Sequence, residues 1–279
     1  MKTSKKKAHD NKLRLLAIGA HPDDCEILAG GLAAKYSALG HAVKFVSATN
    51  GDTGHFTEGG GQLARRRAEE AMQAAAVIGI EAMVLDIHNN GIEADIPTRE
   101  IFIKLIREYK PDIIITHRPW DYHPDHRRTA LLVQDSSYAV LIPNVCPLTP
   151  CLTKSPVIMY TQDNFKKPIE FNPEIVISID DVIEQKVKML DCHKSQQYEW
   201  LPWVNGEIKS VPSDEGKRME WLSKKQREKD EQTAKRFRIQ LRKRYGLNKG
   251  EDVKYAEAFE LCEYGASLDD EMAKLYFPF

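Results

Sequence analysis

Apolar runs typical of buried strands alternate with helical patterns over the first half of the chain, and this alternation limits the fold more than any other feature. The segments between the runs have the apolar spacing or the Ala, Arg and Glu content typical of helices. Such alternation predicts a parallel sheet with right-handed crossovers and helices on both faces. We therefore expect an α/β, Rossmann-like three-layer fold with a mostly parallel sheet, in which ligands bind beyond the carboxyl ends of the strands. The predicted strands are residues 13–20, 43–48, 82–87 and 112–116.

The second half of the chain predicts a less regular C-terminal portion. Strand-like segments at 157–161, 174–179 and 255–262 accompany a predicted helix at 180–193. Residues 200–212 are aromatic and contain proline, so we expect a loop there.

The last predicted helix is long and basic and covers residues 217–245. Its final turns keep apolar residues at helical spacing, but residues 223–233 have almost none, so we expect that stretch to be solvated. The length suits one large α/β domain. The predicted organisation is a flexible basic tail at 1–12 and a single domain at 13–279, with its core at 13–142 and its C-terminal part at 143–279.

Charge does not direct the chain towards nucleic acid. The formal net charge is −1. Residues 217–249 carry thirteen Lys and Arg against four Asp and Glu, but acids are interspersed and no recognised nucleic-acid-binding motif occurs. We expect this segment to be a solvated face or a contact in a homo-oligomer, and we expect no nucleic-acid partner.

The N-terminal residues and the cysteines predict the cellular environment. The first apolar run is too short for a secretory signal, and no stretch approaches the ~18 apolar residues of a membrane span. The five cysteines are odd in number and form no Cys-x-x-Cys pair, which predicts reduced thiols. We therefore expect a cytoplasmic protein without a membrane partner.

Two short clusters of histidine and aspartate each follow a predicted strand. Each offers metal-ligating side chains three residues apart, and together they supply three ligands for one divalent ion, with acid–base groups to spare and a position open for water. Because both lie at the same edge of the predicted sheet, we expect a shared site. Taken alone, the first cluster also fits a capping turn and the second a pair of surface histidines. The clusters are His21-Pro22-Asp23-Asp24 and His123-Pro124-Asp125-His126.

These residues carry a family resemblance. Residues 20–26, which read AHPDDCE, resemble the signature of the PIG-L/LmbE family of zinc-dependent N-deacetylases, and residues 123–126 resemble its second motif. The resemblance is strong over residues 13–142 and weaker beyond. Cys25 stands between the paired aspartates and Glu26, as in the subgroup that includes deacetylases of bacillithiol biosynthesis.

The resemblance implies a role for each residue of the two clusters that it matches. His21, Asp24 and His126 would bind zinc, which leaves one coordination position for water. Asp23 would be the general base, and His123 would have an electrostatic or acid role, with its protonated ring facing the oxyanion.

Other polar residues are expected around this centre. We expect Asp125 to orient a histidine or cap a helix instead of acting on substrate. Arg67 matches a family position for substrate binding, in the pattern Arg-x-x-Glu with Glu70, although a solvated helix face with charge pairing also fits. Asp52 is a weaker substrate-binding candidate in a glycine-rich loop, residues 50–61, that could cover the site. His193, in a segment resembling the family's His-x-Ser-Gln, either lies at the rim of the site or stabilises a helix C-terminus.

The expected function is removal of an N-acetyl or other N-acyl group from a small amino sugar or its conjugate by zinc-activated water. The expected cofactor is Zn²⁺, and two histidines with one carboxylate also suit Fe²⁺. An amidase acting on a thiol or other small-molecule conjugate would use the same ligands. A metal-stabilised binding module and a nucleic-acid binder that uses residues 217–249 are alternatives from other classes.

Overall fold

The computed structural model describes residues 12–279, so the predicted tail lies outside the described residues apart from residue 12. The described residues form a mixed α/β structure around one seven-stranded sheet. The strands are β1 (Arg14–Gly19), β2 (Ala42–Ser47), β3 (Glu81–Val84), β4 (Ile113–Thr116), β5 (Val157–Thr161), β6 (Ile175–Ser178) and β7 (Ala256–Cys262). The helices are α1 (Asp24–Ala38), α2 (Gly60–Val77), α3 (Ile96–Tyr109), α4 (Pro124–Ala139), α5 (Ile183–Cys192), α6 (Leu201–Val204), α7 (Glu215–Arg236), α8 (Arg238–Tyr245), α9 (Leu247–Asp252) and α10 (Asp270–Tyr276).

The sheet is mostly parallel, as the alternation of strand and helix predicts. Its order is β3-β2-β1-β4-β5-β7-β6. The first five strands pair in parallel, and β7 is inserted antiparallel between β5 and β6. The chain therefore builds outwards from β1 to β3 and then returns to the other side of β1 with β4. This reversal places the carboxyl ends of β1 and β4 side by side, which is where such sheets bind ligands.

The central strands are apolar throughout because each of their faces packs on a separate core. Leu15 and Ala17 of β1 point into a core shared with α1 and α10, whereas Leu16 and Ile18 point into a core shared with α3 and α4. Successive side chains of a strand alternate between faces, so a strand covered on both sides needs a continuous apolar run. Helices on both faces make the three layers expected from the sequence.

The predicted helix at 217–245 is interrupted. α7 ends at Arg236, the backbone leaves helical geometry at Phe237 (φ −110°, ψ 31°), and α8 begins at the next residue. The Phe237 ring is buried and packs edge-on against Phe171, with 5.8 Å between ring centroids. The prediction of one continuous helix was therefore wrong. The helical spacing of the apolar residues does not reveal a one-residue break.

The prediction that residues 223–233 are solvated holds for the outer side of α7, where Lys224, Glu228 and Gln232 are exposed, and is wrong for its inner side. Gln226, Asp230 and Thr233 are buried. Asp230 accepts from Lys186 Nζ at 3.0 Å, and the same ammonium lies 2.9 Å from Glu257. The stretch lacks apolar residues because its inner face joins a buried polar network, and the partners in that network come from distant parts of the chain.

The aromatic segment at 200–212 is also more ordered than predicted. A π-helical turn over Ser195–Trp200 runs directly into α6, and a 3₁₀ turn covers Ile208–Ser210. Pro202 is accepted in the first turn of α6, where its missing N–H is not needed. None of the helices within residues 12–279 is both long and apolar enough to cross a membrane.

Candidate active site

The two histidine clusters meet at the reversal in strand order. The first follows the end of β1 and leads into α1, and the second follows β4 and leads into α4. α4 begins at Pro124, and His123 is its N-cap residue, with Nδ1 accepting a hydrogen bond from the Asp125 backbone N–H at 3.2 Å. A helix start after each strand thus points both clusters towards one place beyond the sheet.

Three atoms from the two clusters lie at nearly equal distances from one another. His21 Nδ1 is 3.3 Å from His126 Nε2 and 3.4 Å from Asp24 Oδ2, and His126 Nε2 is 3.6 Å from Asp24 Oδ2. Ligands about 2.0–2.1 Å from a tetrahedral ion are separated by about 3.3–3.4 Å. The residues expected to bind metal therefore fit one divalent ion without rearrangement of the backbone.

Each histidine of this set has its other ring nitrogen beside a carboxylate. His21 Nε2 lies 3.2 Å from Asp125 Oδ2, and His126 Nδ1 lies 3.0 Å from Asp121 Oδ2. Such carboxylates fix the ring orientation and tautomer and raise the basicity of the ligating nitrogen. Asp125 thus lies where a histidine-orienting residue was expected. The sequence analysis missed Asp121, although its place in the loop between a strand and the second cluster was a usable signal.

Asp24 is held as an anion. Its Oδ2 accepts hydrogen bonds from the backbone N–H groups of Ala20 at 2.9 Å and His21 at 2.8 Å. Burial disfavours the charged form, but the imidazoles of His126 and His117 outweigh burial and hold the pKa of Asp24 well below its usual range. An ionised carboxylate is the form that a metal requires.

His117 is a further member of the site that the sequence analysis missed. It follows β4 directly, its Nε2 lies 3.1 Å from Asp24 Oδ2, and its ring stacks on His126 with 4.0 Å between centroids. His117 is buried. Its position just past a predicted strand was the only sequence signal. Asp24, His117 and His126 therefore form a second possible ligand set that overlaps the first.

Asp23 is buried beside a buried guanidinium. Arg67 Nη2 lies 3.2 Å from Asp23 Oδ1 and also donates to the Pro22 carbonyl. Burial raises the pKa of the Asp23 carboxyl, and the Arg67 charge opposes this rise. Arg67 is 2% exposed, so the solvated-face alternative for it is wrong.

The glycine-rich loop is shaped around Arg67. A Cβ added to Gly51 would lie 2.4 Å from Arg67 Nη1, and one added to Gly54 would lie 2.6 Å from the same atom. Gly51 also has a positive φ of 70°, which favours glycine. The loop therefore covers the guanidinium closely and fixes its direction towards Asp23.

His123 lies against His21 and His126 with a neutral ring. Its centroid is 4.5 Å from that of His21 and 4.9 Å from that of His126. Burial, with His21 and His126 beside it, lowers the pKa of His123 to about 4. Because its Nδ1 accepts from the Asp125 N–H, the single ring proton lies on Nε2. The ring can donate a hydrogen bond, but it is not the protonated form that the sequence analysis expected.

These groups line a cavity of about 560 Å³. The glycine-rich loop and the C-terminal part contribute its other walls, and they are joined by the Gln196 amide, which donates to the Gly54 carbonyl at 3.1 Å. Glu70 of the Arg-x-x-Glu pattern accepts from the Ser195 backbone N–H at 2.9 Å, which anchors the π-helical turn to α2. Tyr122 and Trp200 are aromatic members of the lining.

Asp52 and His193 lie behind the cavity wall. Asp52 accepts from the Asn89 backbone N–H at 3.0 Å and lies 2.7 Å from His88 Nδ1, so it ties the glycine-rich loop to the segment after β3. His193 is fully buried, and its Nε2 lies 3.2 Å from Glu26 Oε1. Neither side chain is among those that line the cavity, so direct contact with substrate would require them to move.

Comparison with known proteins agrees with this geometry. The family model described as PIG-L, GlcNAc-PI de-N-acetylase, matches residues 16–137. Diacetylchitobiose deacetylase of Thermococcus kodakarensis is 31% identical over 204 residues, which cover 68% of this chain and 73% of that protein. A 4-oxalmesaconate hydratase of Pseudomonas putida is 26% identical over 195 residues, covering 66% of this chain and 74% of that protein.

A solved structure shares the fold over almost the whole chain. N,N'-diacetylchitobiose deacetylase from Pyrococcus horikoshii, solved with an inhibitor, superposes with a TM-score of 0.68 at 25% identity, covering 91% of this chain and 85% of that one. The family match spans both histidine clusters, and the identity to a deacetylase extends over two thirds of each sequence. The chain therefore belongs to the PIG-L family of deacetylases.

Proposed function

We propose that this protein is a metal-dependent N-deacetylase that removes an acetyl group from a small N-acetylated amino sugar or its conjugate. The observation that carries the proposal is the mutual separation of 3.3–3.6 Å among His21 Nδ1, His126 Nε2 and Asp24 Oδ2. The buried Asp23 lies beside this triad in one cavity. A metal triad with an adjacent carboxylate is the arrangement needed for hydrolysis of an amide.

The ligand set suits zinc. His21, His126 and Asp24 supply two imidazoles and one carboxylate, which is a common composition of catalytic zinc sites and also suits iron(II). When bound, such an ion lowers the pKa of a water towards ~7 and polarises the amide carbonyl. The orienting carboxylates Asp121 and Asp125 hold both rings with the ligating nitrogen turned inwards.

Asp23 is the proposed general base. Its carboxylate takes the proton of the attacking water, and Arg67 keeps it directed into the cavity. Burial raises its pKa, which makes it a stronger base than a solvated aspartate. After the attack the protonated Asp23 is an acid of suitable strength for the departing amine.

His123 is the proposed hydrogen-bond donor to the oxyanion. A neutral imidazole whose Nδ1 is already an acceptor offers Nε2–H as a donor. The same neutral ring is a very weak acid, since loss of the Nε2 proton would leave an imidazolate. Proton delivery to the amine is therefore assigned to Asp23 and oxyanion stabilisation to His123.

Two rival reactions would use the same ligands. An amidase acting on a thiol or other small-molecule conjugate differs only in substrate, and the Pseudomonas putida relative is named as a hydratase. The greater identity to a diacetylchitobiose deacetylase supports deacetylation. We propose that the substrate is a small molecule and that the protein works in the cytoplasm.

The test combines metal analysis with acetate release. Purified protein is assayed for bound zinc and iron and for acetate release from N-acetylglucosamine, diacetylchitobiose and a panel of N-acetyl sugar conjugates. We expect about one ion per chain, from the single triad, and release from at least one sugar. Asp23→Asn should keep the metal and lose about 10²–10⁴-fold in kcat.

The matched control is Asp135→Asn, because Asp135 is exposed on α4 outside the cavity. It should keep both metal and rate. Near-normal acetate release by Asp23→Asn would reject the base assignment. Hydration of an unsaturated acid without acetate release from any N-acetyl sugar would reject deacetylation.

A further inference from the structure

Helix α7 contributes a basic wall to the cavity. Its side chains Trp221, Lys225 and Lys229 are part of the lining, together with Leu222 and Gln226. These positions repeat at three- and four-residue spacing, so one face of the helix is turned to the cavity. The cavity is thus closed in part by the C-terminal portion of the chain, beyond the residues of the family match.

Residues 12–279 contribute four Arg and Lys side chains to the lining, and three of these are already paired with carboxylates. Arg67 lies 3.2 Å from Asp23. Arg118 lies 2.9 Å from Glu260 and also bonds to Asp163. Lys225 pairs with Glu207. These pairs leave little free positive charge on the three side chains.

Lys229 differs from the other three. Among residues 12–279 no carboxylate lies within 4.0 Å of its Nζ, and that atom donates no hydrogen bond. The neighbouring Asp230 is not available to it, because one carboxylate oxygen accepts from Lys186 at 3.0 Å and the other accepts from the Gln226 amide at 2.9 Å. Lys229 is solvent-exposed, and the surface it exposes lies in the cavity lining.

Among the described residues, the Lys229 ammonium has no partner at the cavity wall. The surrounding protein and the Lys186 ammonium lower the pKa of Lys229, and Asp230, Asp24 and Asp23 oppose this effect. Asp23, Asp24 and Lys229 line the same cavity, so a ligand that fills it contacts both the catalytic end and the α7 wall. An anion bound to the ammonium would form a charge-assisted hydrogen bond.

We propose that the preferred substrate is an N-acylated amino sugar that also carries an anionic group, a phosphate or a carboxylate, and that Lys229 binds this group. The inference rests on the proposed function, because it places the amide at Asp23 and the anion at the α7 wall. Lys229 then determines which N-acetyl sugars the site prefers and takes no part in the chemical step.

The test measures binding instead of turnover. Calorimetric affinities are compared for N-acetylglucosamine, N-acetylglucosamine 6-phosphate and N-acetylmuramic acid, which carry no anion, a phosphate and a carboxylate respectively. The metal-loaded Asp23→Asn protein is used so that the ligands persist during the titration. We expect at least one anionic ligand to bind about tenfold or more tightly than N-acetylglucosamine.

Lys229→Gln, introduced into the Asp23→Asn protein, should reduce the preference for the anionic ligand over N-acetylglucosamine about tenfold. The matched control is Lys224→Gln, which removes an exposed lysine of α7 outside this cavity and should keep the preference. Preference for only one anion supports the proposal and identifies the group. The proposal is overturned if neither anion is preferred, or if the preference survives in Lys229→Gln. Acetate release by the unmodified protein decides the proposed function separately.

Discussion

His126 Nε2 lies 3.3 Å from His21 Nδ1, although 105 positions separate the two residues in the chain. The other nitrogen of each ring lies beside a carboxylate, Asp121 for His126 and Asp125 for His21. Both rings are thus oriented before any ion binds, with their free nitrogens facing one point. Preorganisation of this kind is what a tetrahedral site needs in order to bind metal tightly.

Asp121 should contribute to metal affinity without being a ligand. Asp121→Asn keeps the shape of the side chain but removes the charge that lies beside His126 Nδ1 and orients the ring. We expect the metal affinity to fall about 10–100-fold, measured by competition with a chromophoric chelator. Asp135→Asn, an exposed change on α4, is the control. Equal affinity in the two variants would contradict the role of Asp121.

Metal affinity should rise with pH. Burial disfavours a charged His21, but its hydrogen bonds to Asp125 and Asp24 outweigh burial and raise the pKa to about 9 in the metal-free protein. Below that pH the ion must displace a proton from His21, so affinity increases by about tenfold per pH unit and levels off above the pKa. Chelator competition from neutral to alkaline pH measures this slope. An affinity that stays flat through the neutral range would contradict the predicted proton release.

Arg67 should set the pH at which the enzyme becomes active. Asp23 must be ionised to act as a base, and the Arg67 charge lowers a pKa that burial raises. In Arg67→Gln the pKa of Asp23 rises. The fall in kcat on the acidic side of the pH profile should therefore occur at higher pH. Activity at neutral pH should fall about tenfold or more. Arg65→Gln, an exposed change on the same helix, should keep the original profile. If the pH profile of Arg67→Gln does not shift, Arg67 does not control the pKa of Asp23, and only its proposed role in substrate binding remains.

Lys186 should be a major contributor to stability. Its ammonium is buried between Asp230 at 3.0 Å and Glu257 at 2.9 Å. Lys186→Met leaves two buried carboxylates without their cation, which should lower the free energy of unfolding by about 3–5 kcal/mol. Denaturant titration at neutral pH measures the change. Lys188→Met, on the exposed side of α5, should stay within about 0.5 kcal/mol of the original protein. Similar stability of the two variants would show that the network relaxes around the lost charge.

The sequence alone predicted the parallel sheet and the meeting of the two histidine–aspartate clusters because both depend on local signals. A continuous apolar run marks a strand buried on both faces, and parallel strands bring their carboxyl ends to one edge. Residues in the segments that join β1 to α1 and β4 to α4, such as His21 and His123, could therefore be expected to meet. The break at Phe237 and the helical turn at Ser195–Trp200 could not be predicted, since the local sequence patterns there also suit other conformations.

Only the tertiary structure decided which polar side chains are paired. The sequence places Asp121 near the second cluster but does not show that its carboxylate pairs with His126, and the polar stretch around Asp230 resembles a solvated helix until Lys186 packs against it. Lys229 is one basic residue among many in the sequence, and it differs because it lines the cavity and has no carboxylate of residues 12–279 within 4.0 Å of its Nζ. Apolar periodicity records which face of an element is buried, whereas the partner of a buried charge depends on how distant elements pack together.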